Sequence, residues 1–176
     1  MKTKSRIGFL ALLAVVSLLT FSCSTDDSLE YPVMATETLK VGTITDLGPV
    51  SGDIRKMEIN LGNQGNLIDG TTGEMTGNGI ELNVSILTDQ DHHLPSGTYS
   101  FPVVAGTFPF DIENGDAFVR LLNEEQGSVR YRVVSGILTV LNDGNEYVIN
   151  FDFKLDSGDT FTGSVKGALS YEDVHD

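Results

Sequence analysis

The chain has 176 residues, with 25 Asp and Glu against 11 Lys and Arg and a formal charge of −14. That acidity opposes binding to nucleic acid or to anionic lipid, where affinity comes from cationic side chains. A single cysteine, Cys23, leaves no intramolecular disulfide, so packing has to hold the fold, and a domain of about 140 residues buries roughly two-thirds of its unfolded surface.

Lys2, Lys4 and Arg6 precede an apolar run at 7–21 that Ser17 and Thr20 interrupt. A spanning helix needs about 20 apolar residues. This shorter run with a charged start reads instead as a cleaved secretory signal over residues 1–22, and Cys23 at its end is the expected site of lipid attachment. The stretch Leu19-Thr20-Phe21-Ser22-Cys23 resembles a bacterial lipobox. It departs from the usual pattern at Thr20, where a Leu normally stands, and at Phe21, which replaces a small residue.

The following Ser24-Thr25-Asp26-Asp27 is similar to the start of many surface lipoproteins of Bacteroidota. This resemblance implies that Asp26 and Asp27 form an export signal. It also implies a protein of the cell outer membrane, facing outside and held to the lipid bilayer through acylated Cys23. Several acyl chains, at about 0.8 kcal/mol per buried CH2, make such an anchor long-lived. Lys2, Lys4 and Arg6 are three of the 11 basic residues, so removal of the leader leaves 8 against 25 acidic ones, a net charge of −17.

Residues 23–37 are polar, include Pro32 and show no sustained period, the pattern of a lipidated flexible tether. From residue 38 to 176 the pattern is that of a single all-β domain. Strands are predicted at 39–45, at 56–61, where Met57, Ile59 and Leu61 alternate with polar residues, and at 80–89, where Ile80, Leu82, Val84 and Ile86 do the same. The motif Pro95-Ser96-Gly97-Thr98-Tyr99 then opens a return strand. Residues 98–104, 107–112 and 117–122 are further strand candidates, with a short helix as the alternative at 117–123.

The clearest pattern lies at 147–155, where Tyr147, Ile149, Phe151, Phe153 and Leu155 share one face and Asn150, Asp152 and Lys154 the other. Asp143-Gly144 before it is a tight-turn step. Residues 137–169 therefore read as a three-stranded antiparallel meander. The segments 80–99 and 147–165 share a plan of long strand, acidic turn and glycine-opened return, which predicts two hairpins at the centres of two packed sheets. The expected architecture is an antiparallel β-sandwich, with a small β-barrel as the alternative. The two glycine-punctuated motifs, at 94–99 and 162–167, resemble small β-sandwich lipoproteins of Bacteroidota, whose roles are varied.

Asp89-Gln90-Asp91-His92-His93 collects metal-ligand types, but adjacent histidines on a strand point to opposite faces, and a polar hairpin tip is the plain reading. In the acidic segment 111–116, Asp111, Glu113 and Asp116 are the residues a Ca2+ ion would take, partly as in an EF-hand loop; the glycine stands at position five rather than six, and position twelve is not acidic. Motifs for an enzyme are absent: no Gly-x-Ser-x-Gly elbow and no His-Glu-x-x-His pair. The function expected is a non-catalytic binding, adhesion or envelope-assembly module with a protein partner in the envelope. The alternative is a glycan-binding accessory protein of a polysaccharide-uptake system, with Tyr99 and Tyr171 as platforms and Tyr131 assigned to the core.

Overall fold

A computed structural model describes residues 36–63, 66–68, 75–90, 93–111, 117–122, 127–144 and 146–174. Cys23, Asp26, Asp27, His92, Glu113 and Asp116 lie outside the described residues.

The domain is all-β, as the alternation requires. In chain order the strands are β1 (Thr36–Leu39), β2 (Val41–Ser51), β3 (Ile54–Gly62), β4 (Asn66–Ile68), β5 (Met75–Gly77), β6 (Gly79–Thr88), β7 (Gly97–Phe101), β8 (Phe108–Pro109), β9 (Ala117–Leu122), β10 (Val129–Asn142), β11 (Tyr147–Leu155), β12 (Thr160–Gly167) and β13 (Ser170–Asp173). β1 begins two residues inside the stretch read as tether. Within the segment 117–123, for which a helix is the alternative, Ala117–Leu122 is strand β9, because Ala117, Val119 and Leu121 alternate into the core with half-buried residues between them.

Eleven strands are joined by hydrogen bonds, nine of them along one path with β7 and β8 branching from β10, and β4 and β5 pair separately. The long strand β10 divides the path into two sheets. Its first four residues pair with β9, and from Val133 onward it pairs with β11 and β7. Sheet I is thus β1-β12-β11-β10-β7-β8, and sheet II is β10-β9-β6-β3-β2-β13. β10 turns from one to the other at a bulge between Val133 and Ser135, the usual device for bending a strand.

The meander β10–β11–β12 forms with Leu138 opposite Phe151 and Phe153 opposite Phe161. Three ladders are parallel, β1 with β12, β2 with β13 and β7 with β8, so the sheet is mixed rather than purely antiparallel. The two-hairpin expectation fails for 80–99: β6 pairs with β3 and β9, while β7 crosses to sheet I and pairs with β10. The common pattern of the two segments reflects strand-then-turn composition, which fixes periodicity but not partner.

The core lies between the sheets. Ile149, Phe151, Phe153, Leu155, Phe161 and Val165 come from sheet I, and Met57, Ile59, Leu61, Leu82, Val84 and Ile86 from sheet II, all buried. Phe110, bridged to Ile86, meets Phe153 edge-on at 5.8 Å and ties the layers together. At one end of the core Asp46 is fully buried. It accepts hydrogen bonds from Arg55 Nε at 2.9 Å, from the Gly48 amide at 2.8 Å and from the Tyr171 hydroxyl at 3.1 Å. This cluster joins β2, β3 and β13. Burial pushes the Asp46 carboxyl up, but the hydrogen bonds from Arg55, Gly48 and Tyr171 and the charge of Arg55 outweigh it and hold the group below its ordinary value.

Candidate functional site

The residues singled out in the sequence do not come together. Tyr99 is a core residue with 0% exposure, its ring stacked on Phe108 and its hydroxyl donating to the Pro95 carbonyl at 3.1 Å, so it offers no platform. Burial raises its phenol well above the ordinary value. Tyr171 is half-buried, and burial and the Asp46 carboxylate raise its pKa in the same way. Its hydroxyl already serves Asp46, so this residue secures β13 instead of presenting a free face. Tyr131 is half-buried opposite Val119.

Asp111 is buried and its carboxylate meets Lys56 Nζ at 2.6 Å, while its amide donates to the Ser85 carbonyl. A strand-borne lysine thus neutralises Asp111, while Glu113 and Asp116, the other residues read as calcium ligands, lie outside the described residues. Spacing along the chain does not show a cation arriving from another strand. His93 is exposed. Among the described residues no three His, Cys, Asp or Glu side chains converge.

Two outer faces remain, and they differ in chemistry. On sheet II, alternation predicts that Glu81, Asn83 and Ser85 point to solvent. They do point away from the core, yet all three are buried. Cross-strand register places Thr43, Asn60, Asn83 and Phe118 in one row and Glu81 opposite Arg120 in the next. The Asn83 amide donates to Glu58 and to Asn60, and Arg120 Nε donates to Glu81 Oε2 at 2.6 Å. Thr43 Oγ1 is buried with no hydrogen-bond partner. This middle part of the face is largely engaged with itself.

The outer face of sheet I is open. Residues directly opposite one another in paired strands share a face, so Thr98, Thr139, Asn150 and Ser164 form one row across β7, β10, β11 and β12. Neighbouring strands stand about 4.8 Å apart, so the row spans on the order of 14 Å. Beside it lie Ile137, 48% exposed, and Leu141, 58% exposed, with Leu141 opposite half-buried Val148. Ile137 is opposite Ser100, and the Ser100 hydroxyl accepts the Val104 amide at 3.1 Å and meets Thr107 Oγ1 at 2.6 Å. Thr107 Oγ1 also donates to the Val104 carbonyl at 2.7 Å. These bonds fix an exposed loop carrying Val103 and Val104, next in the chain to β7. The result is hydroxyls, a carboxamide and aliphatic side chains on a rigid surface, with exposed Asp152 opposite Ile137 and exposed Lys166 opposite Val148 on the same face. Such a surface makes hydrogen bonds and apolar contact to another surface.

Sequence reasoning missed Ile137 and Leu141 because β10 is apolar at both parities here. The partner strand carries the missing signal: Asp152 lies opposite Ile137 and Phe151 opposite Leu138, so pairing in register with β11 assigns the faces. No family model, no curated protein and no solved structure matches the chain.

Proposed function

We propose that the protein is a lipid-anchored module of the outer membrane, facing outside, that acts without catalysis by holding an envelope protein through the outer face of sheet I. The observation that carries this reading is the exposed set Ile137, Leu141, Val103 and Val104 around the row Thr98, Thr139, Asn150 and Ser164. Grouped exposed aliphatics on a rigid sheet mark interaction sites more often than scattered ones do. The side chains suit a protein surface, since hydroxyls and amides bond backbone groups while aliphatics fill apolar hollows. The leader and Cys23 support the location. In this reading the lipid bears the membrane attachment, and the folded domain is left for the partner.

The anchor has its own test. Mature wild-type protein should begin at Cys23 and exceed its polypeptide mass by that of the acyl groups. Cys23→Ala should abolish lipid labelling and move the protein out of the membrane fraction while the melting temperature of the domain stays the same, because the strands that build the described core begin at Thr36. Changing Asp26 and Asp27 to Ala should keep the lipid and turn the protein toward the periplasmic face. Soluble wild-type protein with an unmodified Cys23 would refute the anchor.

A further inference from the structure

We propose that Arg130 and Arg132, with Phe118, form a binding site for the carboxylate or sulfate groups of an acidic polysaccharide. The site is on the outer face of sheet II and is independent of the protein-binding face on sheet I. Arg130 and Arg132 occupy alternate positions of β10, so both project outward from exposed positions. At a rise of about 3.4 Å per residue their Cα atoms stand about 7 Å apart. Arg132 is opposite Phe118, and Arg130 is opposite Arg120.

Three observations give this pair its chemistry. Glu81 is buried and engaged by Arg120 Nη2 at 2.5 Å. The Arg130 guanidinium carbon lies 3.8 Å from the centroid of the Phe118 ring. Stacking of this kind fixes a guanidinium by its face and leaves the in-plane N–H donors along its edge, and that fork matches a carboxylate or sulfate in bidentate fashion. Asp156, on the turn after β11, directs Oδ1 to the Arg132 backbone amide at 3.1 Å. The carboxylate is thus oriented by the main chain.

The acidity of the chain as a whole selects among anionic ligands. A net charge of −14 repels a densely charged polyanion such as an acidic peptide. A polysaccharide whose carboxylate or sulfate groups are spaced by uncharged sugar units presents fewer charges per length, so it is repelled less on approach and meets the same two forks on contact.

Calorimetric titration of the mature protein with hyaluronate, which has one carboxylate per disaccharide, with lightly sulfated dextran, neutral dextran and poly-glutamate tests the site. Saturable binding to hyaluronate or lightly sulfated dextran is expected, the preferred one identifying carboxylate or sulfate, with no signal from neutral dextran. Arg132→Ala and Arg130→Lys should each weaken it by about tenfold, the second because lysine keeps the charge and loses the fork. Both positions are exposed, and melting curves of the same samples should coincide with wild type. Unchanged affinity in both variants, no saturation with either polyanion, or equal affinity for poly-glutamate would overturn the proposal.

Discussion

Gly136→Ala should destabilise the domain by more than about 3 kcal/mol, and in a domain of ordinary marginal stability that leaves little folded protein. Gly136 has φ of +150°, where a side chain is strained. A Cβ built there would sit 2.3 Å from the Asp152 carbonyl oxygen and 2.8 Å from the Phe153 Cα, both backbone atoms of β11. Relief requires parting β10 from β11 at the point where β10 turns between the sheets. Gly144→Ala is the control: its φ is +91°, but a Cβ would meet nothing within 4 Å. Only the backbone strain remains, on the order of 1 kcal/mol. Urea unfolding of the two variants should separate them clearly, and similar losses would show that the close approach at Gly136 does not govern the bend.

Asp46→Ala should cost about 3 kcal/mol, because it leaves Arg55, the Gly48 amide and the Tyr171 hydroxyl without their shared acceptor. The same group sets a pH dependence. Its folded pKa is below the unfolded value near 3.8, so the contribution is complete above that pH and is lost as pH falls through the lower, folded value. Tyr171 and Tyr99 have the opposite sign of shift. Their pKa values are raised, so their contribution is complete below pH 10 and is lost as pH climbs above it. Melting temperature measured from pH 2 to 7 should fall steeply at the acid end in wild type and less steeply in Asp46→Asn. Parallel curves would remove the cluster from the stability of the domain.

Much of the fold is legible in the chain because period-two alternation is a local signal. The face holding Ile149, Phe151, Phe153 and Leu155 is apparent from β11 alone, and it is buried as expected. Partnership is not local. Nothing near β7 shows that it leaves β6 and pairs with β10, and nothing near β1 or β13 shows that the first and last strands meet β12 and β2 in parallel. The sites were less legible still. Tyr99 looks like a platform until packing puts it in the core, and the Lys56 that pairs with Asp111 comes from another strand, which spacing along the chain does not show. In the sequence Arg130 and Arg132 are only polar residues alternating with Val129, Tyr131 and Val133. Their pairing with Phe118 depends on the register of β9 and β10.

The most direct test of the proposed role replaces Ile137, and separately Leu141, with a photo-crosslinking amino acid in intact cells, with Val50 as the control. Val50 is also exposed, at the end of β2 before the turn into β3. A discrete, light-dependent adduct with one envelope protein is expected from Ile137 and Leu141, absent from Val50 and lost when Thr139→Asp places a charge in the middle of the face. No adduct at either position, or the same adduct from Val50, would contradict a protein-binding role for the outer face of sheet I.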